Sequence, residues 1–208
     1  LKHGLYLEDE TIWYADESQK LAICKTQDLN IVGKHNYENV MAAAGMALSY
    51  GVPLDKIQEA VKEFQAVEHR IEFVRDLHGV LYYNDSKATN PDAAIRGIGS
   101  MNRKTLLIGG GYDKNLEFDA WIESFDGKVK CLLLIGQTKD KIAVCARKHG
   151  FENIVCCDTL NEAVNICYRL AKPGEAVLLS PACASWGDFK DYTQRGELFR
   201  QYVMELPE

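Results

Sequence analysis

Hydrophobic spacing along the chain changes near residue 67, and the change separates two regions. In the first region, apolar or β-branched segments at 5–7, 11–14 and 21–25 alternate with polar clusters and predict three short strands. Two helices should follow. Residues 36–50 place Val40, Ala43, Ala44, Ala47 and Leu48 at helical spacing before Gly51. Residues 53–65 open at Pro53 and set Leu54, Ile57, Val61 and Phe64 on one face.

In the second region, 71–77 and 80–84 flank His78-Gly79, which reads as a hairpin turn. Continuously apolar runs then recur at 105–108, 130–135, 153–156 and 176–179. Amphipathic stretches lie between them. The clearest is 160–170, with Thr159 as a candidate N-cap, a stripe of Leu160, Ala163, Val164 and Cys167, and Lys172-Pro173-Gly174 beyond its end. Strands apolar throughout, alternating with helices, predict a doubly wound α/β domain over 67–208 whose mostly parallel sheet is covered on both faces.

Composition narrows the classes. The 208 residues include 47% hydrophobic and 26% charged positions, an ordinary globular balance. Thirty acidic against 24 basic residues give a net charge of −6, with no basic run, so a nucleic-acid partner is not expected. No apolar stretch approaches the ~20 residues that span a bilayer, and membrane insertion is not expected either. The start shows no signal peptide and no initiator Met, which leads to the expectation of a piece excised from a longer protein. The seven cysteines form no C-x-x-C and no Cys/His spacing typical of zinc, so no metal site is assigned. They read as reduced thiols packed as small hydrophobes in a cytoplasmic protein.

Ligands of an open parallel sheet bind beyond the carboxyl ends of its strands. That rule selects four segments: 84–91 (Asn-Asp-Ser-Lys-Ala-Thr-Asn-Pro), 109–114 (Gly-Gly-Gly-Tyr-Asp-Lys), 136–139 (Gly-Gln-Thr-Lys) and 180–185 (Ser-Pro-Ala-Cys-Ala-Ser). Three carry a lysine and three a serine or threonine. Cations and hydroxyls near helix N-termini describe a site for a carboxylate or phosphate. Each segment also has a plain structural reading. Gly109–Gly111 can be a tight turn, and Asp85-Ser86 or Asp113 can be helix caps. No G-x-G-x-x-G and no G-x-x-x-x-G-K-[ST] occurs, so any phosphate cradle lies outside this sequence. His35 and His69 are candidates for proton chemistry on charge grounds. His69-Arg70 falls at the change of pattern, where a hinge within about 65–71 is expected.

The sequence resembles the bacterial Mur ligases. The resemblance rests on Gly33-Lys34-His35-Asn36 with Asn39, on His69-Arg70-Ile71-Glu72, on Asp85-Ser86-Lys87-Ala88-Thr89-Asn90-Pro91, on Gly109–Lys114, and on the run from Ser180 through Ser185 and Tyr192 to Arg195-Gly196. It covers essentially the whole chain and points to the branch that adds D-glutamate. It implies that 1–66 is the C-terminal part of a central ATP-binding domain and that 67–208 is a Rossmann-like C-terminal glutamate-ligase domain. The implied activity is ATP-dependent ligation of D-glutamate to UDP-N-acetylmuramoyl-L-alanine through an acyl phosphate, in peptidoglycan precursor synthesis, by a monomeric cytoplasmic enzyme. ATP and Mg2+ are the implied cofactors, with the Mg2+ ligands mainly outside this piece. By the same resemblance, Lys87 and His69 are catalytic. Lys87, Thr89, Lys114, Ser185 and Tyr192 bind substrate, and Asn36, Asn39, Arg70 and Asp85 bind nucleotide. Without a phosphate cradle the piece alone should be inactive. The rival readings are another Mur-type or a folylpolyglutamate-type ligase, against which Lys87 and Thr89 in their motif speak, and an isolated non-catalytic binding module.

Overall fold

A computed structural model describes residues 3–31, 33–64 and 67–208, and of His35 only the backbone. The chain forms two compact units, Leu1–Ala66 and Val67–Glu208.

The first unit is an antiparallel sheet with two helices. Strands β1 (Gly4–Glu8), β2 (Thr11–Ala15) and β3 (Lys20–Lys25) pair in chain order. Helices α1 (Lys34–Ser49) and α2 (Leu54–Glu63) follow. Ile12, Ile23, Val40, Ala44 and Ile57 are buried together, so one face of the sheet and one stripe of each helix form the core. Helix α1 begins two residues before its predicted start, behind Gly33 at φ 102°, a backbone region that disfavours side chains. Asn36 therefore lies in the first turn rather than at the cap. Pro53 is the residue before α2, which ends at Glu63; the predicted end at Gln65, like part of the expected hinge, lies outside the described residues.

The second unit carries a six-stranded sheet. Strands β4 (Glu72–Leu77) and β5 (Val80–Asn84) make an antiparallel hairpin over His78 (φ 53°) and Gly79 (φ 79°), the left-handed pair expected of a two-residue turn. Helix α3 (Pro91–Gly99), β6 (Thr105–Gly110), α4 (Asp119–Glu123), β7 (Val129–Ile135), α5 (Lys139–Lys148), β8 (Ile154–Cys156), α6 (Leu160–Leu170), β9 (Ala176–Leu179) and α7 (Tyr192–Met204) complete it. The sheet order is β4-β5-β9-β6-β7-β8, and every pair except β4·β5 is parallel. The α/β reading thus holds, with the hairpin strand as the one antiparallel edge. Strands β6, β7 and β9 are almost wholly buried because helices cover both faces. Inserting β9 between β5 and β6 sets three carboxyl ends side by side.

Helix ends partly revise the sequence reading. Thr159 caps α6 as expected, its Oγ1 accepting from the Glu162 N–H at 3.1 Å. Asp85-Ser86 is not a cap: Asn90 caps α3, accepting from the Ala93 N–H at 2.9 Å. Asp113 caps nothing, since α4 begins at Asp119. The last carbonyls of α7 are bonded by Arg75, whose Nη1 donates to Val203, Met204 and Leu206 at 3.1–3.2 Å. All seven cysteines are free thiols; five are buried, Cys145 is half-buried, and Cys156 is exposed. Burial pushes Cys24, Cys157 and Cys183 up to about 11, away from thiolate reactivity.

Candidate functional site

Three of the four rim segments meet because small residues let their backbones touch. Gly111 has φ 150°, and a Cβ there would collide with the Ala184 carbonyl; a Cβ on Gly136 (φ 69°) would lie 2.8 Å from the Gly111 Cα. The approach is fixed by hydrogen bonds. Tyr112 N donates to Ala184 O at 2.9 Å and Gly110 N to Pro181 O at 2.8 Å. Thr138, fully buried, closes the third segment: its Oγ1 accepts from Gly111 N at 3.0 Å and lies 3.4 Å from Cys183 Sγ. The glycines are therefore a turn, and the turn is what joins the loops after β6, β7 and β9.

Segment 84–91 is joined to the same assembly by Arg195, in the first turn of α7. This guanidinium is completely buried. Its Nε donates to Ser86 Oγ at 3.0 Å, its Nη2 to Ser86 O at 2.8 Å, and its Nη1 to Cys183 O at 3.1 Å. Ser86 Oγ in turn donates to Tyr192 O at 2.8 Å. Burial lowers the Arg195 pKa to about 10, which leaves it charged at neutral pH. The resemblance included Arg195 in a motif but gave it no role, and a helical Arg usually faces water.

Two cations stand on this frame. Lys87 Nζ lies 5.5 Å from the Tyr192 ring centroid, and Lys114 Nζ 4.3 Å from that of Trp186, which packs edge-on against Tyr112 and is 53% exposed. Neither ammonium has a carboxylate partner among the described residues. The third rim lysine differs: Lys139 pairs with Asp158 at 3.0 Å. Thr89 is half-buried beside Lys87, its N–H donating to the Lys87 carbonyl at 2.9 Å, and Ser185 is buried directly before Trp186. Lys87 and Thr89 thus group with Tyr192, and Lys114 with Trp186, the residue after Ser185. Two unneutralised cations and two hydroxyls can accept a small dianion.

Beneath Lys87 lies a polar knot. His69 is only 3% exposed. Its Nδ1 faces Asn84 Nδ2 at 2.9 Å, its ring meets Tyr192 edge-on at 6.1 Å, and its carbonyl accepts from Lys87 N at 3.0 Å. Because the amide donates, Nδ1 is the acceptor and the proton sits on Nε2, which has no partner among the described residues. A histidine so enclosed positions Lys87 through its backbone; it is not an open base. Asp85, expected at a nucleotide, is likewise internal. At 5% exposure its Oδ2 accepts from Ser180 Oγ at 2.7 Å and its Oδ1 from Ile71 N at 3.3 Å. Burial dominates and raises its pKa to about 7, against the smaller pull of those hydrogen bonds and of Arg70 and Arg195. Arg70 is exposed. Asn36 and Asn39 lie on the first two turns of α1, Asn36 half-buried and Asn39 exposed.

One group among the described residues could hold a metal ion by distance, Asp119, Cys145 and His149. The sequence reading missed it because Asp119 lies far along the chain from Cys145 on α5 and from His149, the residue after that helix. Its carboxylate is already shared by His149 Nε2 at 2.8 Å and Lys148 Nζ at 3.2 Å, so it reads as an ion-pair tether between α4 and α5.

Residues 69–183 match the Mur ligase, glutamate ligase domain family. The UDP-N-acetylmuramoylalanine--D-glutamate ligase of Lachnoclostridium phytofermentans is 56% identical over 206 residues, covering 99% of this chain and 45% of that protein. The chain therefore spans a little under half the length of such relatives. Among solved structures, the UDP-N-acetylmuramate-alanine ligase of Thermotoga maritima superposes with a TM-score of 0.67 at 15% identity, over 96% of this chain and 45% of that one. Folylpolyglutamate synthase of Mycobacterium tuberculosis, in complexes with ADP and AMPPCP, gives 0.66 at 14% identity, over 96% and 47%. These likenesses carry the fold. No described helix is long and apolar enough to cross a membrane. With more than half of its residues inside the family's domain, this chain belongs to the Mur ligases.

Proposed function

We propose that the chain is the C-terminal part of an ATP-dependent ligase that joins D-glutamate to UDP-N-acetylmuramoyl-L-alanine in cytoplasmic peptidoglycan precursor synthesis. On this reading 67–208 is the glutamate-ligase domain and 1–66 the end of the ATP-binding domain. The observation that carries it is the pair Lys87 and Lys114, each poised over an aromatic ring and neither neutralised, at one sheet rim. D-Glutamate brings two carboxylates. Lys87 with Thr89 suits one, and Lys114 with Ser185 the other, while Tyr192 shapes the floor. Such a grip orients the amine toward an acyl phosphate formed on the other substrate, so the gain is positional. The 56% identity to a D-glutamate ligase supports this amino acid over other acceptors.

ATP supplies the phosphoryl group when bound. The second unit fits it only in part: Arg70 offers an exposed cation, but no phosphate-cradle motif occurs in the sequence. No residue of this chain is assigned to Mg2+. Asp85 and His69 are proposed as supports of the rim rather than as groups that touch the reacting atoms.

The test is Lys114→Ala in the full-length enzyme. Losing a charge-assisted bond to a desolvated carboxylate costs about 1.5–3 kcal/mol, so kcat/KM for D-glutamate should fall roughly ten- to 150-fold. The KM for ATP should move much less. Unchanged D-glutamate kinetics would remove Lys114 from the site.

A further inference from the structure

Three bonds of Arg195 end on two rim segments, and none ends inside its own helix. We propose that Arg195 is the positioning residue that joins segment 84–91 to the 180–191 loop, so that Lys87, Tyr192 and Ser185 act as one anion site; this rests on the functional reading above.

Packing alone does not explain a guanidinium here. No carboxylate lies within ion-pair distance of it among the described residues, and its acceptors are a hydroxyl and two carbonyls. Taking a charge out of water into such a setting is costly, and an apolar side chain of similar volume fills space at least as well. What an apolar residue lacks is the rigid fork. Nε and Nη2 hold the hydroxyl and the carbonyl of Ser86, the residue before Lys87, while Nη1 reaches the carbonyl of Cys183, two residues before Ser185. The clamp extends one bond further. Ser86 Oγ, held by Nε, donates to the carbonyl of Tyr192, whose ring lies under Lys87. A lysine at 195 carries the same charge on a single nitrogen and cannot hold Ser86 and Cys183 in the same fork geometry. The fixed positive charge beneath the rim also favours an anion above it, and an Arg195→Met variant removes both contributions.

The full-length enzyme carrying Arg195→Lys tests the clamp, with Arg195→Met as the variant that also lacks the charge. Arg195→Lys should raise the KM for D-glutamate roughly ten-fold or more while leaving the KM for ATP within about two-fold. Arg195→Met should raise it further. A double-mutant cycle separates positioning from general damage: on a Lys87→Ala background Arg195→Lys should cost several-fold less than on the wild type, because its effect passes through Lys87 and its neighbours. Should the Arg195 variants fold poorly, Ser86→Ala reads the same clamp at milder cost, with a KM rise of about three- to ten-fold confined to the amino acid. An unchanged KM for the amino acid, an additive cycle, or equal losses for both substrates would overturn the proposal. If the wild-type enzyme uses a different amino acid, the D-glutamate reading fails, and the same cycle measured with that amino acid still decides the role of Arg195.

Discussion

Replacing Asp85 by Asn should make the protein more stable at pH 8 and change it little below pH 4. The carboxyl is 5% exposed, with α3 packed so closely that a Cβ on Gly97 would lie 2.6 Å from Oδ2. Burial raises its pKa from 3.8 to about 7. In the unfolded chain the group ionises near 3.8. Between these values the native state holds a proton that the unfolded state has lost. Stability from this group is therefore fully present below 3.8 and is lost as pH rises to about 7. Each pH unit in that window costs about 1.4 kcal/mol. From pH 5 to pH 8 the wild type should lose about 3 kcal/mol relative to Asp85→Asn, because all other titrations cancel in the comparison. The amide can keep the Ile71 bond through its oxygen, and the Ser180 hydroxyl can turn to accept from its nitrogen. Urea or thermal unfolding of both proteins at the two pH values measures the gap, which corresponds to roughly 6–12 °C in Tm for a domain of this size. A gap independent of pH would refute the argument. A wild type that gains on the variant as pH rises would show that Arg70 and Arg195 outweigh burial.

Two further outcomes follow from the same structure. The 208-residue chain alone should release no phosphate from ATP above a Lys114→Ala control, since it lacks a phosphate cradle; turnover in a phosphate-release assay would contradict this. Gly196→Ala should lower the melting temperature despite alanine's better helix propensity, because the new Cβ would collide with His69 Nδ1, which Asn84 holds in place. Overpacking and a lost hydrogen bond at about 1–3 kcal/mol exceed the propensity gain of about 1. Gly99→Ala, with nothing within 4 Å of its new methyl, is the matched control and should be neutral or slightly stabilising.

The elements of the second unit were legible because buried parallel strands are apolar throughout and the helices between them are striped. Runs such as Leu132-Leu133-Leu134 are fully buried, as a strand covered on both faces requires. Sheet order was not legible. That β9 returns between β5 and β6 follows from long-range pairing, with Leu178 against both Tyr83 and Leu107, and no local pattern encodes it. Helix starts were misplaced where a polar residue had other work. Asp85 was a reasonable cap by type, yet its carboxylate is spent on Ser180 and Ile71, and the cap fell to Asn90, five residues on.

The site divides the same way. The segments that carry it could be named from chemistry on a rim, and the resemblance singled out Lys87, Thr89, Lys114 and Ser185 within them. Which of the rim lysines stay unneutralised could not, because the partner of Lys139 is Asp158, on a different loop. The supporting role of the residues beneath was not legible for a deeper reason. Arg195 and His69 are polar residues in positions whose neighbours in sequence look solvated, and only tertiary contact shows that both are enclosed. Their burial is costly, and an apolar core would avoid the cost. The groups they hold, Ser86, Cys183, Tyr192 and the Lys87 backbone, are those whose placement decides where two positive charges stand. A rim meant to grip a dianion must hold its cations apart from acidic neighbours against their tendency to pair, and a rigid polar layer below them does this where a greasy one would let the loops slide.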